Sequence, residues 1–131
     1  MDVSTAARIL IVEDEEKVAF FLKESLSGLE NGYEVVSTPS AEEALAAIDS
    51  YDFDLVVADF RLPGRNGLEL ISELCSSRPH TRTMLITAYG SDELEAAAYR
   101  HNVARYFAKP FRLDEFVEAV QEILTPSEPV I

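Results

Sequence analysis

Asp59 closes the apolar run Leu55-Val56-Val57-Ala58 and precedes Phe60-Arg61-Leu62-Pro63-Gly64. A carboxylate at the carboxyl end of a buried parallel strand sits where open α/β sheets bind ligands, in the crevice outside the strand ends. Three other strand-like runs also end on polar residues. Ile9-Leu10-Ile11-Val12 leads into Glu13-Asp14, Met84-Leu85-Ile86 into Thr87, and Tyr106-Phe107-Ala108 into Lys109-Pro110. If these runs are parallel neighbours, carboxylates, a hydroxyl and an ammonium converge on one edge. Such a set can hold a divalent cation and a phosphoryl group.

Each residue has a plainer reading beside the chemical one. Glu13, Asp14, Glu15 and Glu16 could be a run of acids favoured by the dipole at a helix N-terminus. Three carboxylates around one crevice repel, however: a pair ~4 Å apart costs about 4 kcal/mol at an effective dielectric near 20. A cation relieves this, and hard oxygen donors with room for water favour Mg2+. Asp59 could be a turn former; as a nucleophile it could take a phosphoryl group as an acyl phosphate. That reaction needs charge neutralisation more than covalent help. Lys109 can supply it to one phosphoryl oxygen, and a cis Lys109-Pro110 bond would fix the loop that aims the ammonium inward. Thr87 could be an ordinary β-branched strand residue, or its hydroxyl could bond a phosphoryl oxygen, with Ala88 small enough to let the backbone approach.

The elements that must position these groups alternate five times. Strand-like stretches occupy 8–12, 33–37, 54–58, 82–86 and 104–108. The first helix spans 15–27, with Val18, Phe21, Leu22 and Ser25/Leu26 near helical spacing, and Gly28 and Asn31-Gly32 supply its break. Ser40-Ala41-Glu42-Glu43 has the form of a capping box opening a helix that buries Ala44, Leu45 and Ile48. Asn66-Gly67 starts a third helix with Leu68, Ile71, Leu74 and Cys75 inward, ending near Arg78-Pro79. Ser91 caps a fourth, running to Arg100 on Leu94, Ala97 and Ala98. The last carries a stripe of Leu113, Phe116, Val117, Val120, Ile123 and Leu124.

Five βα units with short loops imply a parallel sheet with helices on both faces, because each crossover is right-handed. A three-layer, doubly wound, flavodoxin-like α/β fold with strand order 2-1-3-4-5 is the natural choice, although sequence does not itself fix strand order. The chain divides into a tail over 1–7, one domain over 8–125, and a tail or linker stub over 126–131.

With 131 residues and 47% hydrophobic content the chain can bury one core. No stretch reaches the length of a transmembrane helix, and the start lacks a basic n-region. The lone Cys75 agrees with a reducing, cytoplasmic setting and reads as an inert buried thiol. His80 and His101 show no metal-ligand spacing. A net charge of −13 argues against direct contact with nucleic acid.

Together the residues resemble the receiver domain of two-component response regulators over nearly all of 8–124. The resemblance rests on Ile11-Val12-Glu13-Asp14-Glu15, Val57-Ala58-Asp59-Phe60-Arg61-Leu62-Pro63-Gly64, Asn66-Gly67, Thr87-Ala88 and Tyr106-Phe107-Ala108-Lys109-Pro110-Phe111. It implies that Asp59 is the phosphoacceptor, served by a sensor histidine kinase or phosphotransfer protein. Glu13, Asp14 and Asp59, with the carbonyl of Arg61, are the implied Mg2+ ligands. Thr87 and Lys109 grip the phosphoryl oxygens, and Tyr106 is the aromatic switch that follows Thr87. Arg61 and Tyr89, two residues beyond Asp59 and Thr87, would flank the phosphoryl group and tune its lifetime. The readout face comprises the fourth helix, fifth strand and last helix. There Tyr99, Arg100 and Arg105 could meet an output domain, a partner protein or a second copy after phosphorylation.

Four positions depart from the family pattern: Asn66 for the usual Asp, Asn102-Val103 for Gly-Ala, and Arg112 as a poor cap for the last helix. Two rival readings are weaker. A dehalogenase-type phosphohydrolase would carry an acid where Arg61 stands and would have a cap insertion. A pseudo-receiver that keeps the fold without phosphorylation would not need the full set Glu13, Asp14, Asp59, Thr87 and Lys109.

Overall fold

The computed structural model describes residues 6–27 and 32–125. Five strands alternate with five helices: β1 (Arg8–Val12), α1 (Glu16–Ser27), β2 (Glu34–Thr38), α2 (Ala41–Ser50), β3 (Leu55–Asp59), α3 (Gly67–Ser77), β4 (Arg82–Thr87), α4 (Asp92–Arg100), β5 (Arg105–Ala108) and α5 (Leu113–Leu124). All strand pairs are parallel, in the order β2-β1-β3-β4-β5. The expected doubly wound arrangement is therefore the observed one. Among the described residues no helix is long and apolar enough to cross a membrane. Gly28, Asn31 and the two expected tails, apart from residues 6 and 7, lie outside the described residues.

The period of two along each strand sorts the core into two layers. Leu10, Val12, Val56, Ala58 and Leu85 face one side, where Ala44, Ile48, Leu70, Ile71, Leu74 and Ala98 cover them. Ile9, Ile11, Leu55, Val57, Met84 and Ile86 face the other, against Leu22, Leu26, Phe116, Ala119 and Val120. Being covered on both faces is why β3 is buried at every residue and why its sequence is continuously apolar up to Asp59. Edge strand β2 has Glu34, Val36 and Ser37 exposed. Phe116 is fully buried against Phe107 and Phe111. Its truncation to Ala would cost about 3–5 kcal/mol.

Helix phase departs from the expectation in several places. In α1 the inward residues are Ala19, Leu22 and Leu26, while Phe21 is exposed. The small Ala19 lets the helix approach the sheet, which turns the bulkier Phe21 outward. In α3 the buried stripe is Gly67, Leu70, Ile71 and Leu74, with Leu68 only partly buried. Cys75 is exposed, not a buried thiol, because it falls at the margin of that stripe, where the helix has already turned past the sheet. In α2, Ala41 joins Ala44 and Ile48, and Leu45 is partly buried. In α4 only Ala98 is buried, and in α5 Leu113 is exposed while Ala119 is inside.

Helix starts follow the local chemistry. Ser40 and Ser91 accept from the N–H of Glu43 and Leu94 at 3.2 and 3.0 Å. Asn66 forms a reciprocal capping box with Glu69, both bonds 2.8 Å. Arg112 makes no side-chain cap and pairs instead with Asp114. Asn102 follows the end of α4 at φ 64°, the left-handed conformation that Asn tolerates.

Candidate functional site

Strand register assembles the site. Val12 is level with Ala58, Asp59 with Ile86, and Thr87 with Ala108. Glu13, Asp59, Thr87 and Lys109 therefore leave the same edge of four adjacent strands, and Asp14 follows Glu13. Ligand oxygens of Glu13, Asp14 and Asp59 lie within 4.8 Å of one another. Glu13 and Asp59 are buried, whereas Asp14 is exposed.

Lys109 bridges the two buried acids. Its Nζ donates to Glu13 Oε1 at 2.9 Å and to Asp59 Oδ2 at 3.1 Å. The Lys109–Pro110 peptide is cis. One ammonium cannot neutralise two carboxylates, so the cluster keeps excess negative charge. Burial, the larger cause, and the neighbouring Asp59 push Glu13 up from 4.5 to about 7, against the lowering effect of Lys109 and of the Glu15 N–H. Burial also works against the charge of Lys109, but its bonds to Glu13 and Asp59 outweigh this and its pKa is raised.

This donor set fits a hard divalent cation. Three converging carboxylate oxygens, one on an exposed residue and two on buried residues that share a single ammonium, match what Mg2+ needs.

The remaining groups lie toward the same end of the sheet. Thr87 is fully buried, and its Oγ1 accepts from the Tyr89 N–H at 3.0 Å. The Arg61 N–H lies 3.4 Å from Asp59 Oδ1. The Arg61 guanidinium sits over the Tyr89 ring, 4.3 Å from its centroid. Tyr106 is half-buried, and its hydroxyl accepts from the Ser91 N–H at 3.3 Å at the start of α4. All eight site residues anticipated from sequence thus lie on one end of the sheet.

Two glycines also shape the site: Gly67, which the sequence marked only as a helix start, and Gly90, which it did not single out. A Cβ on Gly67 would collide with the Asp59 carbonyl oxygen. Only glycine lets α3 press against the end of β3 there. At Gly90 a Cβ would be 2.7 Å from the Tyr106 hydroxyl. The Asn66-Gly67 pair carried a signal, but it pointed to a helix start and not to close packing on Asp59.

Comparison with known proteins agrees with this geometry. A family model described as the response regulator receiver domain matches residues 9–121. The response regulator protein FleR of Pseudomonas aeruginosa is 35% identical over 115 residues, covering 88% of this chain and 24% of FleR. Sporulation initiation phosphotransferase F of Bacillus subtilis is 29% identical, covering 89% of this chain and 93% of its own. The chain spans about a quarter to a half of the length of the first curated relatives it matches. Among solved structures, the response regulator TrrA of Thermotoga maritima, in complex with Mg(2+)-BeF, has a TM-score of 0.79 and 35% identity, covering 90% of this chain and 99% of that one.

Proposed function

This chain belongs to the response regulator receiver domain family of two-component systems, and on that premise we propose that Asp59 is its phosphoacceptor and residues 8–125 its switching unit. The observation that carries this reading is the placement of Lys109 between Glu13 and Asp59, at 2.9 and 3.1 Å, on an edge where three carboxylates converge.

A carboxylate oxygen of Asp59 attacks the phosphorus of a phosphohistidine on a sensor kinase or phosphotransfer protein. A P–O bond forms, the P–N bond breaks, and the imidazole leaves with its electron pair. Glu13, Asp14, Asp59 and the Arg61 carbonyl would hold Mg2+, which supplies positive charge beside the transferred group. Lys109 is already in hydrogen-bond contact with Asp59 and can follow the new charge onto a phosphoryl oxygen. The Thr87 hydroxyl, moving toward another, would take the β4–α4 loop with it and leave space for Tyr106 to follow. Phosphorylation thereby biases an equilibrium between two arrangements of the α4-β5-α5 face, where an output domain, a partner or a second copy would read it. The protein acts as a phosphoacceptor that assists its own transfer and hydrolysis. Arg61 and Tyr89 stand where they obstruct water, so the double variant Arg61→Ala/Tyr89→Ala should lose its phosphoryl group faster than wild type.

The donor is a protein of partly apolar surface. Beside Lys109 an apolar hollow of about 320 Å³ is lined by Val18, Phe21, Leu22, Pro110, Phe111 and Leu113. Phe20 and Phe21 are both more than half exposed, at 57% and 56%. Exposed aromatic area next to the acceptor suits a docked helix of the donor.

Intact-mass analysis after incubation with acetyl phosphate and Mg2+ tests the assignment. One phosphoryl adduct is expected in wild type, dependent on Mg2+ and absent in Asp59→Asn. An adduct that persists in the variant would move the acceptor elsewhere.

A further inference from the structure

Arg61 and Tyr89 leave neighbouring strand ends and meet across the crevice, with the guanidinium 4.3 Å from the ring centroid. Both side chains are exposed. Arg8, Arg65, Arg78, Arg105 and Arg112 each pair with a carboxylate, whereas Arg61, like Arg82 and Arg100, forms no ion pair among the described residues of this acidic chain. The cation nearest in sequence to the acceptor is thus parked on an aromatic face. Tyr89 is tied in turn to the switch elements. Its N–H is bonded to Thr87 Oγ1, and the Tyr106 hydroxyl fills the space beside Gly90 and accepts from Ser91.

We infer that the Arg61–Tyr89 stack is a resting-state latch on the β4–α4 loop, opened when a phosphoryl group on Asp59 draws the Arg61 guanidinium off the ring. This rests on the reading of Asp59 as phosphoacceptor. An exposed cation–π contact is weak, whereas a guanidinium offers a planar fork of donors to phosphoryl oxygens through charge-assisted bonds. The Arg61 backbone N–H already lies 3.4 Å from Asp59 Oδ1, so the residue is anchored beside the reacting atom while its guanidinium rests on Tyr89. Phosphorylation therefore acts on the loop from two sides: it pulls on Thr87 and withdraws the support under Tyr89. Arg61 plays opposite parts before and after transfer, holding the resting loop and then holding the phosphoryl group.

Those opposite parts separate the two side chains experimentally. Amide and arginine Nε–Hε resonances of the full chain are followed by NMR with and without Mg2+ and beryllofluoride, a phosphoryl mimic. The forms compared are wild type, Tyr89→Leu, Arg61→Met and the double variant. In wild type the Arg61 Nε–Hε signal is expected upfield, under the Tyr89 ring, and moves downfield when beryllofluoride is added. In Tyr89→Leu it starts downfield. Tyr89→Leu should bind beryllofluoride about 2- to 5-fold more tightly, the equivalent of an exposed cation–π contact. Arg61→Met should bind it more weakly. The Ser91 amide should shift alike in both single variants, with no further shift in the double. An Arg61 signal unaffected by Tyr89→Leu, or unmoved by beryllofluoride in protein whose Asp59 takes a phosphoryl group from acetyl phosphate, overturns the latch alone. Failure of Asp59 to take that group overturns the underlying reading and the latch with it.

Discussion

Replacing Asp59 by Asn should make the metal-free protein more stable, and the site geometry fixes the size of the effect. The Asp59 charge is attracted by Lys109 at 3.1 Å, a gain of about 5.4 kcal/mol at an effective dielectric near 20. It is repelled by Glu13 and Asp14, whose ligand oxygens lie within 4.8 Å, at about 3.5 kcal/mol or more each on the same scale. The sum is a net repulsion of about 1.5 kcal/mol. Solvation of the exposed Asp14 reduces it, while burial of the Asp59 carboxylate, only 5% exposed, adds to it. The amide keeps the shape and an oxygen for Lys109, so a gain of about 1–2 kcal/mol is expected, or about 3–6 °C in melting temperature for a domain of this size. The assay is thermal unfolding in EDTA at about pH 8, where Glu13 is ionised. Mg2+ should raise the wild-type melting temperature more than the variant's and close the gap, because binding to the native state alone adds stability. An unchanged or lower melting temperature for a normally folded Asp59→Asn in EDTA would refute the claim that the resting site is held under repulsion.

Five further outcomes are expected, the first three from the same electrostatics. Glu13 has a folded pKa near 7 against an ordinary 4.5, so between those values the fold keeps a proton that the unfolded chain releases. Metal-free stability from this group is thus complete below about pH 4.5 and is lost as pH rises through about 7, a slope that pH-dependent denaturation would read and Glu13→Gln would flatten. Mg2+ competes with that proton, and its apparent affinity, measured by calorimetric titration, should climb up to about pH 7 and then level off. Lys109→Met strands two buried carboxylates and should cost about 3 kcal/mol at about pH 8 in urea unfolding, less at about pH 5.5. Asn102→Ala, forced to φ 64°, should lose about 1 kcal/mol by the same measurement, while Asn102→Gly should not. Phe20→Ala/Phe21→Ala should slow transfer from a phosphohistidine protein several-fold and leave labelling by acetyl phosphate unchanged, as read by mass.

The strands were legible because burial on both faces leaves β1, β3 and β4 little choice but continuous apolar residues ending on polar ones. Their bounds shift only slightly in the structure, as where β3 takes in Asp59. Helix phase was less legible. Counting large apolar residues put Phe21, Cys75 and Leu113 inside, but a helix lies closest to the sheet through its small residues. Ala19, Gly67, Ala98 and Ala119 set the approach, and the larger side chains beside them splay outward. The site residues were readable one by one from their place at strand ends. Their mutual geometry was not: the stack of Arg61 on Tyr89 joins residues 28 positions apart, and only the register of β3 with β4 brings them together.

The site and the core make opposite demands on the same strands. Beneath Asp59 the two apolar layers hold β1, β3, β4 and β5 in register, and that packing lets Glu13, Asp59 and Lys109 stand at fixed distances despite their excess negative charge. Repulsion that a pliant edge would relax by spreading apart is instead retained in the resting protein. On the proposed reading a cation and a phosphoryl group would release it through the β4–α4 loop and the side chains of Thr87, Tyr89 and Tyr106. Strands and loop would thus divide the work. If so, a core cavity under the site, as in Val57→Ala, should weaken Mg2+ binding even though Val57 touches no ligand, because a softened β3 lets the carboxylates separate.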